Sequence, residues 1–274
     1  MYSMDIKHQQ SALFQQFIWN FYTHNKRDFV WRSSPDAYRV VVSEIMLQQT
    51  QTYRVQPKFD QFIDTFPNFN SLAQATLAQV LAAWQGLGYN RRGKFLHQIA
   101  LKVIHEFGGT LPHDPLVLQT FPGIGKATAS SIAAFAFNKP TIFIETNIRT
   151  VFIHSFFQDR DDVHDNELLP FITATVDQYN PREWYYALMD YGVYLKKLHP
   201  NPSRKSKHHV VQSKFEGSDR QIRGMIVRTV LEHGILHREE LLGLINKEAP
   251  RVNLIIDQLQ QEQLIKIENN LVRV

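Results

Sequence analysis

What most constrains the fold of this chain is the spacing of its apolar residues: through residue 200 they recur at helical intervals, and no convincing strand interrupts them. Residues 11–23 carry Phe14, Phe17, Ile18 and Phe21 at that spacing, and Asn25-Lys26-Arg27-Asp28 stops the run. Phe29-Val30-Trp31-Arg32 follows, then a loop around Ser33-Ser34-Pro35-Asp36. Residues 38–53 pose a conflict, because Val40-Val41-Val42 favours a strand while the length of the segment and its glutamines favour a helix; one continuous helix is expected. Further helices are expected at 58–65, 71–75, 77–84 with Thr76 as N-cap, 90–107, 116–120, 166–178 and 182–198. The body is therefore all-α.

The pattern changes after residue 198. His199-Pro200-Asn201-Pro202-Ser203 and the basic residues that follow read as a linker over 201–217, since prolines and like charge neither hold a helix nor bury surface. Three helices are expected at 219–233, 238–246 and 250–262. Leu264-Ile265-Lys266-Ile267-Glu268 and Leu271-Val272-Arg273-Val274 form a hairpin turning on Asn269-Asn270. Three helices and a hairpin make residues 218–274 a small winged-helix, α+β domain. Its third helix has Arg251 as its one basic residue, so the domain suits protein docking nearly as well as groove reading.

Between residues 119 and 149 lies the candidate for chemistry. Pro122-Gly123-Ile124-Gly125 is a tight turn that leaves backbone N–H groups uncovered, and a small-residue helix opens at Lys126-Ala127-Thr128. Gly123, Gly125, Lys126 and Thr128 can meet one phosphate without reading a base. Glu145 stands in the apolar stretch Phe143-Ile144 to Ile148. Taken alone, the stretch is equally an ordinary Gly-Pro turn with a helix-capping glutamate. With 43% hydrophobic residues the chain has a real core, and its net charge of +4 is uneven. Arg91-Arg92-Gly93-Lys94 and Arg204-Lys205-Ser206-Lys207-His208-His209 have no acids beside them and suit a polyanion rather than a membrane. There is no cysteine, hence no disulfide, thiolate metal site or thiol nucleophile. No apolar run is long enough to span a bilayer and the polar start lacks a signal peptide, so the expected address is cytoplasmic, nucleoid-associated if bacterial.

Several motifs in register carry a family resemblance. Trp31-Arg32, Ser43-Glu44-Ile45-Met46-Leu47-Gln48-Gln49-Thr50-Gln51, Gly86-Leu87-Gly88-Tyr89, Leu96-His97, Phe121-Pro122-Gly123-Ile124-Gly125, Ile144-Glu145-Thr146-Asn147 and Ala187-Leu188-Met189-Asp190-Tyr191-Gly192 resemble the helix-hairpin-helix DNA glycosylase superfamily that includes endonuclease III. The similarity is greatest to the MutY adenine glycosylases. It implies a two-lobed helical enzyme, with residues 1–28 and 139–200 forming the lobe that carries Glu145, and 29–138 a helical barrel lobe with Glu44 and the hairpin. DNA would lie over the cleft with the target nucleotide flipped out, because a glycosidic bond inside a stacked duplex is out of reach; extrusion costs a few kcal/mol.

The resemblance also distributes roles. Glu44 matches the catalytic acid that protonates the departing base, and its neighbours Val42, Ile45 and Leu47 favour a carboxyl that carries a proton. Gln48 and Tyr89 match residues that fill or wedge the gap; Gln49, Arg91 and Asn147 count with them as DNA contacts. Glu145 takes the place of an aspartate that stabilises positive charge developing on the sugar, and Thr146 stands where the family usually has glycine. Ala127 occupies the position at which bifunctional members place a lysine nucleophile, so water rather than an amine is expected to attack. Val41 stands near the adenine pocket, where MutY enzymes usually have tryptophan.

Two further departures limit the substrate assignment. Without cysteine the superfamily's iron–sulfur cluster is excluded, and residues 199–209 take its place; His199, His208 and His209 hint at zinc, but a basic DNA-contacting loop fits better. A winged helix also replaces the Nudix-like domain. The expectation is a monofunctional DNA glycosylase of base excision repair, removing adenine opposite guanine or 8-oxoguanine. Mismatch thymine or uracil removal, and a catalytically inactive distortion-binding protein, remain alternatives. Its partner would be double-stranded DNA with a mispaired or damaged base, bound by a monomer. No cofactor is expected beyond a monovalent cation held by hairpin backbone groups.

Overall fold

The computed structural model describes residues 2–33, 36–212 and 214–274, with side chains from residue 10 onward. Ser34 and Pro35 of the expected loop lie outside the described residues. In chain order the helices are α1 (Tyr2–Asn25), α2 (Val30–Ser33), α3 (Ala37–Leu47), α4 (Thr52–Thr65), α5 (Phe69–Gln74), α6 (Leu77–Ala83), α7 (Arg91–Phe107) and α8 (Pro115–Leu118). They continue with α9 (Lys126–Phe137), α10 (Thr146–Phe156), α11 (Asp165–Thr175), α12 (Pro181–Leu198), a 3-10 turn at Pro202–Lys205 and α13 (Asp219–His233). The short strand β1 (Ile235–His237), helices α14 (Arg238–Ile245) and α15 (Ala249–Gln261), and strands β2 (Lys266–Glu268) and β3 (Leu271–Arg273) complete the chain.

Local chemistry explains most of these limits. Thr76 caps α6 through a box with Gln79, and Asn68 does the same for α5 with Ser71. The single helix expected over 38–53 is instead two, α3 and α4. Gln49 adopts a left-handed φ of 54°, which breaks the helix although the apolar pattern runs on.

The chain divides into two compact units. One holds the chain up to Val40, His113–Thr120 and Ile124–Val211. Its core packs α12 against α10 and α1, with Trp184, Tyr185 and Phe152 fully buried. Asp190 of α12 is 2% exposed and takes hydrogen bonds from Arg27 N and Nε and from both terminal nitrogens of Arg32. Two guanidinium groups on one buried carboxylate satisfy the charge that burial would otherwise penalise. Residues 201–217 were expected to be a linker that buries nothing, yet Pro202, Ser203 and Ser206 are buried. Backbone bonds from Val163 N to Lys205 O and from Lys207 N to Val163 O hold this segment down. The basic run hides small residues that can pack.

The second unit contains Val41–Pro112, Phe121–Gly123 and Gln212–Val274. Phe59, Phe62, Trp84 and Leu72 fill its helical part. The C-terminal residues form the expected three-helix domain, with a strand that sequence reading missed: β1 joins the hairpin in an antiparallel sheet of order β1-β3-β2. Three residues are too few to show a period. Asn269 and Asn270 take φ of 50° and 61°, the left-handed pair that a two-residue hairpin turn requires. This domain shares its core with the helical part, because Leu81 of α6 belongs to the same buried cluster as Ile226, Val230, Ile256 and Leu259. Among the described residues no helix is long and apolar enough to cross a membrane.

Candidate active site

In the second unit the candidate residues Glu44 and Gln48 lie at the end of α3, near Gly123. Glu44 is half-buried on this helix, beside the buried Ser43, Ile45 and Met46. One turn later the Gln48 side-chain amide donates to Gly123 O at 3.3 Å, linking the helix end to the hairpin turn. Gly123 has φ +73°, and a Cβ there would come within 2.5 Å of the Phe95 ring, so this position requires glycine on both counts.

Behind these residues lies Arg92, part of the basic run Arg91-Arg92-Gly93-Lys94. It is 7% exposed. Nη1 donates to Ile45 O at 3.0 Å, Met46 O at 2.8 Å and Gln48 O; Nη2 donates to Thr50 Oγ1 at 2.9 Å, Leu87 O at 3.2 Å and Gly88 O at 3.1 Å. A helix leaves its last carbonyls unpaired, and here a buried cation takes them. Burial lowers the guanidinium pKa to about 10. One side chain thus ties the end of α3 to the turn that presents Tyr89. Lys94 is likewise committed, its Nζ donating to Glu262 O at 2.6 Å and Gln263 Oε1 at 3.1 Å. Arg91 stays exposed, 3.7 Å from Glu262. The acid that completes this cluster lies far along the chain, beyond the reach of local sequence.

In the first unit Glu145 is the N-cap of α10. Its Oε1 accepts from Asn147 N at 2.7 Å and Ile148 N at 3.0 Å, and Oε2 from Asn147 Nδ2 at 3.2 Å. Lys196 Nζ donates to Asn147 Oδ1 at 2.7 Å, and burial lowers the Lys196 pKa. The carboxylate is aimed by three donors and backed by a cation one residue removed. Ser, Thr, Asp and Asn are the usual caps; the longer Glu reaches the same amides from further out. Nothing in the sequence near Lys196 signals this role.

The remaining expected residues are spread over both units. Gly125 is the N-cap of α9, with Lys126 and Ala127 exposed in its first turn and Thr128 half-buried. Gln49 is exposed, and Tyr89 is half-buried with φ +50°. Val41 is fully buried. Among the described residues no cluster of three or more His, Cys, Asp or Glu could hold a metal ion. The His154 and His199 rings stand 5.0 Å apart, and those of His164 and His208 5.8 Å. On α15, Arg251 is paired with Asp219 at 2.6 Å and Gly217 O at 2.9 Å, which leaves the third helix no basic side chain outside an ion pair.

Residues 42–168 match the family described as HhH-GPD superfamily base excision DNA repair protein. An adenine DNA glycosylase of Mycolicibacterium smegmatis is 41% identical over 133 residues, 48% of this chain and 45% of that protein. One from Buchnera aphidicola subsp. Baizongia pistaciae is 33% identical over 194 residues, 70% of this chain and 55% of that protein. The chain thus spans about half the length of the curated relatives it matches. Among solved structures, a thermostable thymine-DNA glycosylase superposes with a TM-score of 0.60 at 24% identity, covering 67% of this chain and 86% of that one. A non-covalent endonuclease III–DNA complex gives 0.58 at 15% identity, with 68% and 86% covered. Both share the fold.

Proposed function

We propose that this chain, whose residues 42–168 match the HhH-GPD superfamily of base excision DNA repair proteins, is a monofunctional DNA glycosylase removing adenine mispaired with guanine or 8-oxoguanine. The observation that carries the reading is the Gln48 bond to Gly123 O, which joins the helix of the candidate acid to the turn that would grip the phosphate backbone. The similarity of both relatives named above, each an adenine DNA glycosylase, supports adenine as the base. Double-stranded DNA is then the partner and the monomer the working form, with a cytoplasmic, nucleoid-associated address in a bacterium.

The chemistry follows from the side chains. Glu44 gives its proton to the departing base as the bond between sugar C1′ and base nitrogen breaks and its electron pair leaves with the base. Positive charge builds on the sugar, and the Glu145 carboxylate, aimed by Asn147 and Ile148, stabilises it. Water bonds to C1′, and its proton returns to Glu44. Ala127 has no amine to form a Schiff base, so the strand stays intact. Gln49, Tyr89, Arg91, Gly123, Gly125, Lys126 and Thr128 hold the DNA, the last four through phosphate.

Time courses on duplexes with A opposite 8-oxoguanine, A opposite G, T opposite G and U opposite G, with alkali cleavage after incubation, test the proposal. Cleavage is expected on the two adenine duplexes. Cleavage confined to T or U would replace adenine as the substrate, and none on any duplex despite tight binding would remove the enzyme. Borohydride should trap no covalent complex.

A further inference from the structure

We propose that Arg220 and Gln212 of the C-terminal region are positioning residues for the Tyr89 wedge. The proposal deepens the glycosylase reading and rests on it. Tyr89 ends the Gly86-Leu87-Gly88 turn in a left-handed conformation, and the backbone of that turn is held from within the helical part. Arg92 bonds Leu87 O and Gly88 O, Trp84 Nε1 bonds Gly88 O at 3.1 Å, and Arg54 bonds Gly86 O. These contacts fix where the ring is mounted, but none reaches its hydroxyl.

The hydroxyl is reached from the far end of the chain. Arg220 Nη1, on α13, donates to Tyr89 Oη at 2.7 Å, and Gln212 Nε2, on the segment before α13, donates to the same oxygen. The Arg220 guanidinium carbon lies 5.5 Å from the ring centroid and that of Arg92 5.3 Å, both within cation–π range. Two donors 123 and 131 residues away in sequence thus converge on one phenol oxygen. Arg220 is itself anchored: α13 is packed into the core shared with Leu81, and Arg223 on the same helix is paired with Glu262, which Arg91 also approaches.

A wedge inserted between bases works from a preset rotamer, since otherwise insertion must also immobilise the side chain. The C-terminal domain meets that need. Its third helix has its one basic residue engaged by Asp219, and the apolar face of that helix belongs to the core that Leu81 of the helical part shares. Its contribution to DNA handling is made through Tyr89, by Arg220 and Gln212.

The test uses the full chain and a duplex with 2-aminopurine beside adenine opposite 8-oxoguanine. Extrusion is followed by the stopped-flow fluorescence rise, base release by single-turnover cleavage. Tyr89→Phe, which removes one oxygen, and Arg220→Ala should each slow the rise about fivefold, the scale of immobilising one side chain. The double variant should be no slower than either single one, and Arg220→Lys, which keeps a donor, should recover part of the rate. The pH profile of base release should stay that of the wild type. Wild-type extrusion in Arg220→Ala, or effects that multiply in the double variant, would overturn the proposal. The fluorescence rise needs no bond cleavage, so it reports on wedge positioning even where the wild type releases no base, which separates failure here from failure of the glycosylase reading.

Discussion

Replacing Arg92 with methionine is expected to remove about 3 kcal/mol of stability, a figure that follows from its hydrogen bonds and its burial. Burial lowers the guanidinium pKa to about 10, so the charge is held at a cost that its acceptors must offset. The two terminal nitrogens share four hydrogens among six acceptors, and removing the side chain leaves those acceptors without their donor. Three of these bonds, to Ile45 O, Met46 O and Leu87 O, are fully buried, and the other three border partly exposed groups that water reaches once the side chain is gone. Three buried carbonyls left without a donor cost about 1 kcal/mol each, about 3 kcal/mol in all, which for a chain of this size lowers the melting temperature by about 5 °C. Differential scanning calorimetry of Arg92→Met beside Arg91→Met makes the measurement. The neighbour is exposed, with its nearest acid at 3.7 Å, and its replacement should stay within about 0.5 kcal/mol of wild type. Arg92→Lys should fall between, since one ammonium has three donors for six acceptors. Equal melting temperatures for Arg92→Met and Arg91→Met would show that the buried cation does not hold the end of α3.

Glu145→Gln should slow single-turnover base release by about 100-fold or more, with DNA affinity near wild type: the amide oxygen keeps the two backbone contacts, while its NH2 meets Asn147 Nδ2 as donor against donor. Full base-release activity would rule Glu145 out as the stabilising anion. Gly192→Ala should cost about 1–3 kcal/mol and impair base release with it, because a Cβ there would stand 2.5 Å from Asn147 O and 2.7 Å from Asn147 Cβ, forcing the start of α10 to move. An unchanged melting temperature would contradict the close approach. His97 Nε2 is buried without a hydrogen-bond partner, and burial lowers the pKa of this histidine below 6.5. The unfolded chain then binds more protons than the folded one, so this stability is complete above about pH 6.5 and declines as pH falls toward the folded value. Melting temperatures measured from pH 7 down to 5 should drop, and less steeply in His97→Gln; parallel slopes would exclude His97 as a source.

Sequence by itself determined the all-α body, the Thr76 cap, the hairpin on Asn269-Asn270 and the motifs that surround Glu44 and Glu145. These are local facts: a period of 3.6, a Thr just ahead of a helical run, two asparagines that tolerate positive φ. The ambiguity over Glu145 was also legible, since a carboxylate in an apolar stretch reads both as a cap and as a catalytic anion, and the structure makes it a cap whose carboxylate is aimed. Tertiary structure decided the rest. Arg91, Arg92 and Lys94 are indistinguishable in a basic run, yet one stays at the surface, one is sealed among carbonyls, and one joins Glu262. The break between α3 and α4 depends on carbonyl partners supplied by Arg92, forty-four to forty-seven residues away. The place of the C-terminal domain depends on Leu81, Glu262 and Tyr89 meeting residues more than a hundred positions distant. Charge and burial are properties of neighbours in space, and a chain read along its length reveals only those neighbours that a helix or a turn brings together.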